Sequence, residues 1–173
     1  MTTLDELFAG RAATIVGDAV GPTVAAALRA RLEARYTRYA LLDRGRYDVA
    51  ANLDEAAVLG ALGTLAQQVT GRTLAVSEAH AIRLGPGDYV LAHHDRIDED
   101  VPVELVLDVS RTSVPGAEVH YRQRGQVYFR FASRPGALSV VERGPTVTCN
   151  HTYVSKRHVE ASVVRLIVRL RNV

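Results

Sequence analysis

The sequence predicts a mainly β chain with helices at its N-terminal end, an α+β fold whose core is an antiparallel sandwich or barrel of the jelly-roll kind. Three observations predict it. From residue 73 onward, eight short β-rich runs follow one another, at 74–84, 89–95, 103–110, 118–122, 126–131, 137–142, 146–154 and 163–171. The breaks between them are turn formers: Gly85-Pro86-Gly87, Val114-Pro115-Gly116, Arg124-Gly125, Arg134-Pro135-Gly136 and Arg143-Gly144-Pro145. Upstream of residue 73 the dominant period is helical instead.

The first helix is expected over residues 23–36, after Gly21-Pro22, because Val24, Leu28 and Leu32 recur every four residues while Arg29, Arg31 and Arg35 lie elsewhere on the wheel. A second helix is expected to start with Asn52 or Asp54 as its N-cap and to run to about Val69, with Gly71 as its stop. Residues 39–50 are mixed and leave room for a short strand. No repeat or low-complexity linker divides the 173 residues. The expectation is therefore one domain, with 1–72 mostly helical and 73–171 forming the β core.

Composition bounds the function. Hydrophobic residues make up 47 % and charged residues 23 %, enough apolar material for one core. The net charge is +2 and the basic side chains are scattered, so nothing calls for nucleic acid or a membrane surface. Cys149 is the single cysteine, which excludes an intrachain disulfide. Met1-Thr2-Thr3-Leu4-Asp5-Glu6 does not read as a secretory signal, and no apolar run reaches membrane-spanning length. A cytoplasmic protein is expected.

His93-His94-Asp95 is the stretch with most chemistry in it. On an extended strand, residues two apart point to one face, so His93 and Asp95 converge while His94 faces away. One imidazole and one carboxylate, joined by a second imidazole from elsewhere, make the facial triad that holds non-haem Fe(II) and leaves coordination positions open. The second imidazole has two main candidates. His151 lies in the strand 146–154, and His158 lies in the polar connection that follows. A ligand must be held rigidly, which favours His151.

The last strand carries two arginines on one face, Arg165 and Arg169, four residues apart, while Val164, Leu166, Val168 and Leu170 line the other. If the apolar face packs on the helices, the arginines point into the sandwich. A buried guanidinium needs a partner there, and a ligand carboxylate matches its fork geometry.

The order of these segments resembles the Fe(II)/2-oxoglutarate-dependent oxygenases, above all their prolyl-hydroxylase-like branch. There a YxxGD…HxD strand, a G-G-x-L-x-Y hairpin and a P-G-x-L strand precede the distal histidine. The matching segments here are Leu84-Gly85-Pro86-Gly87-Asp88…His93-His94-Asp95, Pro115-Gly116-Ala117-Glu118-Val119-His120-Tyr121 and Arg134-Pro135-Gly136-Ala137-Leu138, over roughly residues 73–171. The resemblance implies a distorted double-stranded β-helix. It implies an enzyme that uses Fe(II), 2-oxoglutarate and O2 to oxidise an unactivated C–H bond, releasing succinate and CO2. His93, Asp95 and His151 would ligate iron, Arg165 would pair with the distal carboxylate of 2-oxoglutarate, and no further catalytic side chain is implied. Tyr89, taken to share strand parity with His93, is a candidate hydrogen-bond donor to the cosubstrate. Asp95 fills the position that related halogenases leave to chloride, so hydroxylation or another oxidation is implied rather than halogenation. The chain departs from the pattern in three places. Leu84 stands where many members have tyrosine, Arg165 is followed by Leu166-Ile167 and not by x-Ser, and the step from His151 to Arg165 is long. His158 and Arg169 therefore stay open as substitutes.

The substrate is expected to be a small molecule, an amino acid or a carrier-tethered intermediate, because so short a chain has little room for a macromolecule-recognition domain. Two alternatives compete: a cupin-type metal-dependent enzyme, with no need of Arg165, and a non-catalytic jelly-roll binding module.

Overall fold

In the computed structural model, residues 10–93 and 100–173 are described, with His93 described only as part of its strand. The elements in order are β1 (Ala13–Val16), α1 (Pro22–Leu32) with a single 3-10 turn (Glu33–Arg35), β2 (Thr37–Leu41), β3 (Gly45–Ala50) and α2 (Ala56–Thr70). Then follow β4 (Leu74–Leu84), β5 (Tyr89–His93), β6 (Val103–Asp108), β7 (Glu118–Gln123), β8 (Gln126–Ala132), β9 (Leu138–Glu142), β10 (Val147–His151) and β11 (Val163–Asn172). All eight expected strands are present within a residue or a few of their expected bounds. No helix among the described residues is long and apolar enough to cross a membrane.

The strands form one antiparallel sheet in the order β1-β9-β6-β11-β4-β3-β5-β10-β7-β8, with β2 added to β3. The sheet folds back on itself. Val106, Val141 and Ile167 from one half pack with Val119, Tyr121, Phe131 and Cys149 from the other in a single buried cluster. This is the jelly-roll arrangement.

A second cluster covers the outer face of β4, β6, β9 and β11. Leu28 and Leu32 of α1 and Leu62 and Ala66 of α2 meet Leu105, Leu138, Val164, Leu166, Val168 and Leu170 there. The strand β11 thus lies between two cores: its even-numbered side chains are buried against helices, and its odd-numbered ones face into the sandwich. The helices buttress the sheet, as an apolar outer face requires.

The first half is less helical than its periodicity suggests, for β1, β2 and β3 all lie before residue 51. In α1 the buried stripe is Ala25, Leu28 and Leu32, and Val24 is 43 % exposed, so the four-residue spacing picked one wrong member. The helix α2 ends as expected: Gly71 takes a left-handed φ of 67° and donates its N–H to the Gln67 carbonyl at 2.9 Å. The hairpin β2–β3 is stitched by Tyr39 stacked on its cross-strand partner Tyr47, with centroids 4.9 Å apart. Its short apolar alternation was masked in the sequence by Arg38, Arg44 and Arg46. Between β7 and β8, Arg124 and Gly125 both have positive φ, 52° and 79°, the geometry a tight two-residue hairpin demands.

Candidate active site

The site sits where β5 meets β10. Cys149 stands opposite His93, and His151 stands opposite Val90, so one extra residue bulges from β5 between the two pairs. Leu91 and Ala92 are consequently both exposed. Beyond the bulge the two strands' ends are tied again, because Gly87 N–H donates to the Val154 carbonyl at 2.8 Å and Val154 N–H donates to the Asp88 carbonyl at 2.9 Å.

The bulge corrects the assignment of Tyr89. Simple alternation would place Tyr89 on the face of His93, but the inserted residue breaks the alternation. Val90 is the residue that turns inward with His151, and Tyr89 lines a surface groove on the other side of the sheet. The turn that launches β5 is fixed by Asp88, whose buried carboxylate accepts from Arg38, from Arg46 at 3.1 Å and from Gly85 N–H at 2.9 Å. Burial alone would raise the Asp88 pKa, but these donors outweigh it and hold it below its ordinary value.

His151 is 5 % exposed and reaches into an internal cavity of about 230 Å³, whose wall also includes Tyr47, His80, Cys149, Glu104 and Arg169. Its Nδ1 lies 2.8 Å from Arg165 Nη1. Guanidinium groups only donate, so Nδ1 is the acceptor. Arg165 Nη2 donates to the Ala117 carbonyl at 2.9 Å, and its buried Nε has no hydrogen-bond partner. Arg165 is fully buried, behind His151 from the cavity. Its cross-strand neighbour Asp108 does not bond it. Asp108 accepts from the Ser110 and Arg134 N–H groups, each at 2.8 Å. Burial therefore lowers the Arg165 pKa, with the Asp108 charge opposing.

Arg169 is placed differently. It bonds Glu104 at 3.3 Å and Glu78 at 2.9 Å. Glu104 also accepts from Arg143 Nη1 at 2.6 Å and from the Tyr121 hydroxyl at 2.9 Å. Burial pushes the Glu104 pKa up, but Arg143 and Arg169 more than offset it and leave it below its ordinary value. The Tyr121 hydroxyl is driven well up, first by burial and then by Glu104.

The structure thus brings together His151 and Arg165 and pairs the strand position of His93 with Cys149, which lines the same cavity. Asp95 lies outside the described residues, as does His94. His158 sits in the loop after β10 and does not line the cavity; its backbone closes a turn with Ser155 and Ala161. Glu104, Arg143 and Tyr47 were missed in the sequence, and His80 is a strand histidine set aside there in favour of His151. Glu104 alone carried a signal there, as the one acid inside the apolar run Val103-Glu104-Leu105-Val106-Leu107.

No family model and no curated protein matches the sequence. Solved structures do. A prolyl-4-hydroxylase from Pseudomonas putida superposes with a TM-score of 0.74 at 16 % identity, covering 98 % of this chain and 97 % of that one. An oxidoreductase of the 2OG-Fe(II) oxygenase family from Burkholderia pseudomallei gives 0.76 at 14 % identity, over 97 % and 89 %. HygX from Streptomyces hygroscopicus, solved with nickel, 2-oxoglutarate and hygromycin B bound, gives 0.71 at 11 % identity, over 99 % and 88 %. The chain has the double-stranded β-helix fold of the 2-oxoglutarate/Fe(II) oxygenases.

Proposed function

We propose that the chain is a non-haem Fe(II)/2-oxoglutarate-dependent dioxygenase that hydroxylates a small molecule, an amino acid or a carrier-tethered substrate. One observation carries the reading: Arg165 is a fully buried guanidinium that bonds an imidazole and a carbonyl, leaves Nε unsatisfied and has no carboxylate among its hydrogen bonds. A buried charge in that state is a cost unless a ligand completes it. A carboxylate is the group whose geometry and charge complete it. The residues present fit the cofactor in this respect, and the fold likeness supports the same chemistry.

In this reading His93, Asp95 and His151 hold the iron, and three protein ligands leave positions for cosubstrate and O2. Bound there, Fe(II) with 2-oxoglutarate and O2 supplies the oxidising power for an unactivated C–H bond, with succinate and CO2 as coproducts. Arg165 would take the distal carboxylate of 2-oxoglutarate in a fully buried setting, where a charge-assisted pair is strongest. His151 must then give up its bond to Arg165. While Nδ1 accepts from the guanidinium, the neutral ring carries its proton on Nε2, the nitrogen that has to meet the metal. Arg169 is the poorer carboxylate site because Glu104 and Glu78 already occupy it. Tyr89 has no part in the reading, since it faces the outer groove.

The small cavity, about 230 Å³ against roughly 300–1,000 Å³ for drug-sized ligand pockets, suits a compact cosubstrate. Release of succinate from 2-oxoglutarate across a panel of amino acids and small metabolites tests the function. The reading expects turnover that depends on added Fe(II) and disappears in His93→Ala and Asp95→Ala. Turnover unchanged in both variants contradicts it. A cupin-type enzyme would keep its turnover in Arg165→Met.

A further inference from the structure

A groove on the outer face of the sheet adjoins the buried site at Val90 and His151. Two adjoining hollows of about 320 and 560 Å³ share Tyr89 and Tyr153 as common wall. Together they run from the tip of the β2–β3 hairpin, across β5 and β10, to the β7–β8 turn at Gly125. Four of the ten exposed large hydrophobic residues among those described lie along it: Leu41, Leu42, Leu91 and Tyr153. Leu42 is 95 % exposed. Scattered exposed leucines need no explanation, but a run of them along one concavity does.

The charge of the groove is one-sided. Arg46, Arg122 and Lys156 line it, and no acidic side chain does among the described residues. Arg46 is partly neutralised by Asp88 beneath it. Arg122 reaches neutral oxygens, Asn150 Oδ1 at 3.2 Å and the Gly125 carbonyl at 3.4 Å. The groove is open along its length, whereas pockets for small ligands enclose most of their occupant. Its apolar points are spread over three places: the hairpin tip, the Tyr89/Tyr153 wall and the bulge at Leu91.

We propose that this groove docks an extended, acidic polypeptide segment of another protein, with apolar side chains seated on Leu41, Leu42, Tyr89 and Tyr153. Its carboxylates would meet Lys156 and Arg122. Val90 and His151 line both this groove and the internal cavity, so the docked segment would lie against the seam of β5 and β10 that carries the buried site. The inference stands apart from the enzymatic reading, because it needs neither metal nor cosubstrate.

The test is fluorescence anisotropy with a fluorescein-labelled peptide alternating glutamate with leucine and tyrosine, and with its lysine counterpart, at low and physiological salt. The expected result is binding of the acidic peptide that weakens with salt, and at least about ten-fold weaker binding to the Lys156→Glu/Arg122→Glu double variant. That variant should favour the lysine peptide. Leu42→Ser, at a side chain already in solvent, should weaken acidic-peptide binding without lowering the melting temperature. Equal affinity for the two peptides, or an unchanged affinity in both variants, overturns the proposal. So does binding to anionic vesicles with none to the peptide, or a dimer of the chain that Leu42→Ser abolishes.

Discussion

His151 Nδ1 and Arg165 Nη1 are 2.8 Å apart in the buried interior, so the candidate distal ligand and the candidate cosubstrate arginine are bonded to each other. The two roles compete for the same groups. A carboxylate that takes Arg165 releases Nδ1 and lets the ring present Nε2. Metal and 2-oxoglutarate should therefore bind cooperatively, each raising the affinity for the other by the same factor. Titration of Mn(II), as a spectroscopic stand-in for Fe(II), should show a lower Kd when 2-oxoglutarate is present. In Arg165→Met the difference should shrink at the same 2-oxoglutarate concentration.

Arg165 and Arg169 should part company under mutation. Arg165→Met removes a buried charge that has no acidic hydrogen-bond partner, so the fold should tolerate it, while 2-oxoglutarate affinity falls by about 10–100-fold, the worth of one charge-assisted hydrogen bond or somewhat more. Arg169→Met strips a donor from buried Glu104 and should lower the melting temperature more than it lowers cosubstrate affinity. Calorimetric titration and thermal melts on the two variants separate the roles.

Glu104 ties β6 to β7, β11 and the end of β9 through Tyr121, Arg169 and Arg143. Glu104→Gln removes the carboxylate of a buried ion pair with Arg143 and should cost about 3–5 kcal/mol by urea unfolding. The pH dependence follows from the direction of its shift. Its folded pKa lies below the ordinary 4.5, so the stabilisation is present above that value and is lost as pH falls through the folded value. Buried Asp88 acts in the same direction. Melting temperature should drop steeply on acidification below the ordinary carboxylate range, and less steeply in Glu104→Gln.

The buttress should be as important as the sandwich. Leu28 of α1 is fully buried in the cluster that holds Leu166 and Val168 of β11. Leu28→Ala should destabilise by about 2–5 kcal/mol. Because β11 carries Arg165 on its other face, cosubstrate affinity should fall with it at temperatures where the variant begins to open.

The strands of the core were legible because each turn has its own punctuation, and β11 declared both faces through its alternation: apolar side chains on the helices, Arg165 and Arg169 inside. What alternation hides is a bulge. Nothing in Tyr89-Val90-Leu91-Ala92-His93 marks the residue that leaves the ladder, and that one residue moves Tyr89 from the inner face to the outer one. The β2–β3 hairpin was legible only as room for one short strand, since its arginines serve Asp88 and Asp48 and obscure its apolar period. The role of Glu104 could not be read from its own segment, because the partners that justify burying it come from β7, β11 and the end of β9, far along the chain.

The central claim is that Arg165 and the His93/Asp95/His151 set build one site for 2-oxoglutarate on iron. The most direct measurement is an anaerobic titration of the Fe(II)-loaded protein with 2-oxoglutarate, followed by visible absorption, for the wild type, Asp95→Ala and Arg165→Met. The account predicts a saturable new band in the wild type, none in Asp95→Ala, and a band that needs far more 2-oxoglutarate in Arg165→Met. No band in the wild type, or the same titration curve in all three proteins, would contradict it.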